Sequence, residues 1–189
     1  GVILHDETMW QDAPDLEKPH VAVLAAAGIL VGIKVDRAFH AIRMGSWDSE
    51  TITQGLDDLG ARAGRYYARG ARFAKWRALF FIHLGPHGAT TPSELALQRN
   101  CDDLARYAAI CQQHGLMPIV EPDVVMDGAH GIEVSAAVTK RVLAQTFAAL
   151  ALHNVDLEGI LIKTNMVRPG AGYAPDTCAG GADSYSAAS

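Results

Sequence analysis

The sequence predicts an α/β fold in which parallel strands alternate with helices. Two observations carry this prediction: five short apolar segments have strand character, and helical periodicities separate the later ones. The predicted helices are long enough for the crossovers of about a dozen residues that connect parallel strands. The five predicted strands are Val2–Leu4, Ile29–Asp36, Ala71–Ala78, Leu116–Val120 and Ile160–Ile162.

The first half of the chain contains the clearest strand. After Val2–Leu4, a polar turn and a proline-containing loop lead to a small helical or turn segment over His20–Ala27. The run Ile29–Asp36 is rich in β-branched residues without interruption, which is typical of sheets covered on both faces. A helix is then predicted to extend to about Arg69 and to end at Gly70, with its apolar face formed by Leu56, Leu59, Ala63 and Tyr66 or Tyr67.

Two longer helices are predicted in the second half. Thr91–Glu94 forms a capping box with Pro92 at the first helical position, and Gly115 ends this helix. Its apolar stripe is Leu97, Cys101, Leu104, Ala108 and Cys111. The last helix runs to about His153, with an apolar stripe of Val134, Val138, Val142, Phe147 and Leu150.

Composition indicates one soluble, cytosolic domain. The net charge of -5 argues against nucleic-acid and anionic-membrane partners, although a local group of cations could still bind a small anion. The longest apolar run, Val21–Ile33, is shorter than a membrane span of about 20 residues, and no signal peptide is evident. The three cysteines form no CxxC pair and indicate reduced thiols, with Cys101 and Cys111 in the core.

The last residues differ in character from the rest. Residues 169–189 contain no Val, Ile, Leu, Met, Phe or Trp. Such a segment cannot bury enough apolar surface to offset its ordering entropy. We therefore expect a folded domain over residues 1–168 and a disordered tail over 169–189.

Charged residues interrupt or end the predicted strands. Three of the chain's five lysines lie there, together with one arginine and one glutamate: Lys34, Lys75, Lys163, Arg77 and Glu121. A single lysine in this setting usually covers apolar surface with its stem while its ammonium reaches water. Five charged groups on successive strands instead predict a shared polar site, since buried charges need partners. A structural ion-pair network is the alternative.

This group of residues supports Schiff-base chemistry. Lys163 follows the last strand at its carboxyl end, where sheets of parallel strands place their catalytic residues. A lysine attacks a carbonyl as the free amine. A second cation close by favours this form because it penalises the charged ammonium, and Lys75 is the candidate for the second cation. Glu121 is the candidate proton shuttle, and Lys34 and Arg77 are candidates for holding an anionic substrate.

The histidine-containing loop does not predict a metal site. His83 and His87 are four residues apart, but Gly85, Pro86 and Gly88 preclude a regular helix between them. No third ligand lies close by, and a catalytic zinc needs at least three. We therefore expect neither a metal nor another cofactor.

Six segments resemble class I fructose-bisphosphate aldolases, in register from Gly1 to about Gly170. They are Gly32–Asp36, Thr53–Asp57, Phe73–Arg77, Leu104–Ala108, Ile119–Pro122 and Lys163–Val167. The resemblance implies part of a (β/α)8 TIM barrel, covering strands two to six. It also implies cytosolic homotetramers that use no metal and cleave fructose 1,6-bisphosphate to dihydroxyacetone phosphate and glyceraldehyde 3-phosphate.

The resemblance also implies residue roles. Lys163 matches the lysine that forms the Schiff base, Lys75 the lysine beside it, and Glu121 the acid/base carboxylate. Lys34 and Arg77 match substrate and phosphate contacts. Asp123 stands where the family usually has a second catalytic glutamate, which shortens the reach of the carboxylate, and Thr164 replaces the proline that normally follows the lysine.

A second hypothesis comes from how little of the barrel is matched. A (β/α)8 barrel needs about 250 residues and closes only with all eight strands. An open set of five strands has two unpaired edges, which favour pairing with another chain or aggregation. The chain would then be an inactive remnant that at most binds anions or associates with intact subunits.

Overall fold

The computed structural model describes residues 1–14, 17–42 and 50–175. Its helices are α1 (Asp6–Trp10), α2 (His20–Ala26), α3 (Leu59–Arg69), α4 (Glu94–Gln113) and α5 (Ile132–Leu152). Its parallel strands are β1 (Val2–Leu4), β2 (Val31–Lys34), β3 (Ala71–Phe80), β4 (Met117–Val124) and β5 (Leu161–Ile162). A 3-10 turn, Leu157–Gly159, precedes β5.

The five strands form one parallel sheet in which spatial order equals chain order, β1-β2-β3-β4-β5. The longest pairing joins β3 and β4, from Phe73 opposite Met117 to Phe80 opposite Val124. The predicted α/β organisation is therefore confirmed. Three antiparallel ladders of two or three residues per strand accompany the sheet, and they pair Asp12–Ala13 with Lys18–Pro19, Phe39–Ala41 with Thr51–Thr53, and Leu84–Gly85 with Gly88–Ala89.

Large side chains from the strands and from α4 form the centre of the core. Trp76 on β3 is fully buried and stacks on Tyr107 of α4, with ring centroids 5.5 Å apart. The Tyr107 hydroxyl donates to the carbonyl of Ile119 on β4, at 3.2 Å. One helix thus fixes two neighbouring strands, which keeps the opposite face of those strands in a constant position.

The predicted stripe of α4 is buried throughout. Its five members are at most 3% exposed, and they include Cys101 and Cys111, which are free thiols as expected. Burial raises the pKa of Cys101 to about 11 and that of Cys111 to about 12, so both thiols are protonated and unreactive at neutral pH. Cys178 lies outside the described residues.

The start of α4 differs from the predicted capping box. The first helical residue is Glu94, and Ser93 is the N-cap, with its hydroxyl accepting from the backbone N–H of Ala96 at 3.2 Å. Thr91 cannot cap the helix because its hydroxyl is used elsewhere: it donates to the carbonyl of Phe81 and accepts from the N–H of His83. Pro92 therefore precedes the helix.

The observed boundaries of two strands and the apolar stripe of α5 also differ from the predicted ones. Strand β2 is shorter than Ile29–Asp36, whereas β4 continues beyond Val120 to Val124 because it pairs with β3 as far as Phe80. In α5, Phe147 is 42% exposed and Thr146 is buried in its place. Steps of four residues from Val138 through Val142 lead to Thr146, whose hydroxyl lies 3.4 Å from Cys101 Sγ. Gly70 ends α3 as predicted, in a left-handed conformation.

The first residues of the predicted tail are anchored. Gly170, Ala171 and Gly172 donate backbone hydrogen bonds of 2.8–2.9 Å to the carbonyls of the 126–130 loop. A Cβ at Gly170 would come within 2.4 Å of the Gly128 carbonyl oxygen, so glycine permits this close approach. Backbone hydrogen bonds of the described residues therefore continue past 168 as far as Tyr173, and the domain boundary at 168 stays a prediction. Residues 176–189 lie outside the described residues, and their disorder stays a prediction.

We predict that Ser93→Ala lowers the free energy of unfolding by about 1 kcal/mol, because the Ala96 N–H loses its capping acceptor. Urea denaturation measures this change. Gln98→Ala, at an exposed position of the same helix, serves as the control and should change the free energy of unfolding by less than about 0.5 kcal/mol. An equal effect of the two substitutions would contradict the assignment of Ser93 as the cap.

Candidate active site

Strand alternation directs Lys75 and Arg77 away from the core. On β3, Ala74, Trp76 and Ala78 are fully buried beneath the helices, so the residues between them point to the other face of the sheet. The side chain of Lys75 is 16% exposed and that of Arg77 is 38% exposed. The predicted common face of these two cations is confirmed.

Glu121 on β4 lies at the centre of the candidate site. It is 3% exposed, and it stands directly opposite Arg77 in the strand register. Its Oε1 accepts a hydrogen bond of 2.6 Å from Lys163 Nζ, and its Oε2 lies 3.0 Å from Lys75 Nζ. Arg77 Nε is 3.8 Å from Oε1. One buried carboxylate therefore contacts three cations, two on β3 and one directly after β5.

Three effects act on the pKa of Glu121. Burial is the largest effect and raises the pKa, since a carboxylate loses its hydration. The hydrogen bond from Lys163 and the close ammonium of Lys75 act in the opposite direction and together outweigh burial. The pKa therefore lies below its ordinary value, and Glu121 is ionised at neutral pH.

Asp123 pairs with Arg77. Its Oδ2 accepts from Arg77 Nε at 2.9 Å and also from Nη2. Asp123 lies two residues after Glu121 on β4 and therefore points to the same face of the sheet. The shorter aspartate thus holds the guanidinium beside Glu121.

Lys34 joins the site through a residue that the sequence reasoning missed. Its ammonium forms an ion pair with Asp36, which is 5% exposed. The other carboxylate oxygen of Asp36 accepts from the backbone N–H of Arg77 at 2.9 Å. Lys34 therefore does not contact Glu121, and Asp36 ties it to β3. Asp36 is the last residue of the predicted strand Ile29–Asp36, and a carboxylate there, two residues after Lys34, is the signal that could have indicated its role.

Lys163 lies at the exposed edge of the sheet. Its backbone N–H donates to the carbonyl of Val120 at 2.9 Å, and its side chain is 60% exposed. The ammonium nevertheless contacts a buried carboxylate. This lysine therefore differs from one whose stem covers apolar surface while its ammonium contacts only water. A cavity of about 410 Å³ is lined by Arg77, Asp123, Met126, Asn165 and Arg168 among others, and Lys163 is not part of its lining.

The described residues hold no group of three or more His, Cys, Asp or Glu side chains arranged to bind a metal ion. The ring of His83, one member of the histidine pair considered above, lies 3.1 Å from the hydroxyl of Thr91.

Comparison with known proteins identifies the family. The sequence model described as fructose-bisphosphate aldolase class-I matches residues 1–181. This chain belongs to the class I fructose-bisphosphate aldolase family. The predicted resemblance is therefore confirmed over most of the chain.

Two plant aldolases are similar to this chain. The cytoplasmic isozyme 2 of Pisum sativum is 54% identical over 170 residues, covering 90% of this chain and 45% of the pea protein. The cytosolic aldolase 6 of Arabidopsis thaliana is 50% identical over 182 residues, which are 95% of this chain and 49% of that protein. The chain thus spans about half the length of these aldolases.

A solved structure confirms the fold class, part of a TIM barrel. The fructose-bisphosphate aldolase of Plasmodium falciparum superposes with a TM-score of 0.84 at 43% identity, covering 93% of this chain and 49% of that one. The parallel sheet and its helices are therefore part of an aldolase TIM barrel. Among the helices in the described part of the chain, none is both long and apolar enough to span a membrane.

We predict that ionised Glu121 makes stability sensitive to acid. Because its pKa in the folded protein is lower than the reference value of 4.5, its ionisation contributes stability that is complete above about pH 4.5. This contribution is lost as the pH falls through the folded-state pKa. Glu121→Gln should remove it, so the wild type and the variant should differ less in free energy of unfolding at lower pH.

Urea denaturation at a series of pH values measures this effect. The exposed Glu133→Gln serves as the charge-matched control, with a smaller dependence expected. A difference between wild type and Glu121→Gln that stays constant down to pH values well below 4.5 would contradict the ionised Glu121.

Proposed function

We propose that this chain carries the Schiff-base chemistry of fructose-bisphosphate aldolase. The reaction is the reversible cleavage of fructose 1,6-bisphosphate to dihydroxyacetone phosphate and glyceraldehyde 3-phosphate. The observation that carries the proposal is the contact of one buried carboxylate, Glu121, with both Lys163 and Lys75. This arrangement supplies an amine, a proton shuttle and a second cation within one site.

Lys163 acts as the nucleophile in this proposal. Its free amine attacks the C2 carbonyl of the sugar phosphate and forms a carbinolamine, which loses water to give an iminium. Glu121 lies 2.6 Å from this nitrogen, so it can take the ammonium proton and return a proton to the departing hydroxyl. In the cleavage step the Glu121 carboxylate takes the proton of the C4 hydroxyl, so that C4 becomes the aldehyde carbon of glyceraldehyde 3-phosphate. The electron pair of the breaking C3–C4 bond moves into the iminium and leaves an enamine.

Lys75 stabilises the ionised form of the proton shuttle Glu121. Its ammonium lies 3.0 Å from Glu121 Oε2 and lowers the pKa of that carboxyl together with Lys163. While the nitrogen of Lys163 is uncharged, as the free amine, the carbinolamine or the enamine, the ammonium of Lys75 remains beside Glu121. The carboxylate therefore keeps one counter-charge throughout the reaction cycle.

The remaining cations bind the substrate in this proposal. Arg77 uses Nε and Nη2 for Asp123, which leaves the Nη1 donors to turn toward a phosphate oxygen. Lys34 is held by Asp36 on the neighbouring strand and supplies a second positive charge. Asp123 sets the orientation of Arg77 and adds a second carboxylate at the rim of the cavity.

We predict that borohydride reduction with dihydroxyacetone phosphate traps a covalent adduct on Lys163, and that Lys163→Met abolishes it. Peptide mass spectrometry locates the adduct. Lys140→Met, at an exposed position of α5, is the matched control and should leave trapping unchanged, because Lys140 lies on another element. Trapping that survived Lys163→Met would end the assignment of the nucleophile.

The same experiment addresses the alternative function. A folded wild-type sample that gives no adduct would mean that the family likeness reflects ancestry only. The chain would then be an inactive remnant that binds anions or associates with intact subunits.

We also propose that the protein is cytosolic and forms a homotetramer. The support is that several similar plant relatives are named cytosolic or cytoplasmic isozymes, and that the family resemblance implies tetramers. Light scattering of the purified chain should give a mass about four times 20.2 kDa. A monomeric mass at micromolar concentration would contradict the tetramer.

A further inference from the structure

Strand β5 stops just before the proposed nucleophile, and the neighbouring strand explains why. Lys163 N–H donates to the Val120 carbonyl. In a parallel ladder, the next hydrogen bond would run from the N–H of residue 122 to the carbonyl of Lys163. Residue 122 is proline, which has no N–H. The ladder therefore ends at the residue whose position matters most.

The side chain of Asn165 forms the next hydrogen bond to β4 where the ladder ends. Its Oδ1 accepts from the backbone N–H of Val124, the last residue of β4, at 3.2 Å. Its Nδ2 donates to the hydroxyl of Thr139 on α5 at 3.1 Å, and Thr139 is 5% exposed. Asn165 thus fastens the chain to a strand and a helix two residues after Lys163.

We propose that Asn165 is a positioning residue that holds Lys163 against Glu121. The proposal rests on the proposed function, in which Lys163 is the nucleophile. Without Asn165, the backbone that follows β5 would be hydrogen-bonded to β4, among the described residues, only through the Lys163 N–H, at an edge where the lysine side chain is 60% exposed. Misplacement of a reacting group by about 1 Å can cost about a hundredfold in rate.

Two other roles for Asn165 make different predictions. It lines the cavity beside Arg77 and Asp123, so it could contact the substrate directly. Loss of a substrate contact would raise the half-saturating substrate concentration. Loss of a positioning contact lowers the maximal rate and leaves that concentration nearly unchanged. A purely structural role would lower stability and change neither quantity.

The test compares borohydride trapping by dihydroxyacetone phosphate in three variants. Asn165→Ala removes both hydrogen bonds and should lower the maximal trapping rate at least about tenfold, with less than about a twofold change in half-saturating concentration. Asn165→Asp keeps an acceptor for the Val124 N–H and can accept from the Thr139 hydroxyl, so it should restore most of the rate. Val167→Ala, at an exposed position nearby, is the control and should behave as wild type.

A measurement without substrate separates this proposal from the proposed function. Competitive acetylation, read by mass spectrometry, compares Lys163 with the exposed Lys140 of the same molecule. Asn165→Ala should raise the relative rate at Lys163 at least about threefold, because its ammonium is no longer held by the Glu121 carboxylate. If wild type forms no adduct, only the aldolase proposal is contradicted. The acetylation rates then decide whether Asn165 positions Lys163.

Three results would overturn the positioning role: an unchanged maximal trapping rate in Asn165→Ala, a rise confined to the half-saturating concentration, or an unchanged acetylation rate at Lys163. If Asn165→Ala does not fold, Thr139→Val replaces it, since that substitution removes only the helix contact. Thr139→Val should lower the trapping rate by a smaller factor than the loss of both Asn165 hydrogen bonds. An unchanged rate would contradict the role of the Asn165–Thr139 hydrogen bond in positioning Lys163.

Discussion

A buried carboxylate, Glu121, between two lysine ammonium groups is the contact on which the rest of this site depends. A carboxylate that is 3% exposed is costly unless cations and hydrogen bonds replace its hydration, and Lys163 and Lys75 do so from the two adjacent strands. The same contacts bring both lysines to one point. Loss of Glu121 would leave two like charges facing each other with no shared counter-ion.

Packing on the helical face of the sheet is what makes that contact possible. Glu121 and Lys75 meet because β3 and β4 keep one register over eight residue pairs. Trp76, Tyr107 and the backbone of Ile119 lock that register from the other face. At β5 the ladder is too short for such locking, and side-chain hydrogen bonds from Asn165 replace it.

Strand alternation and helical periodicity were sufficient to predict the five strands and the three long helices, because each buries one regular face. They were also sufficient to predict that four charged residues lie at one edge of the sheet: Lys75, Arg77, Glu121 and Lys163. Asp36 and Asn165 were missed because a polar residue just past a strand looks the same whether it faces solvent or a backbone N–H. The start of α4 was misplaced because Thr91 and Ser93 are both good caps, and only the contacts of Thr91 with Phe81 and His83 decide between them.

The most direct test of this account is a titration of Glu121 itself. The carbon-13 shift of its side-chain carboxyl can be followed by NMR across the acid range, in the wild type and in Lys163→Met. The account predicts a midpoint below the reference value of 4.5 in the wild type, and a higher midpoint once the hydrogen bond from Lys163 is lost. A wild-type midpoint at or above that value, or one that Lys163→Met leaves unchanged, would contradict it.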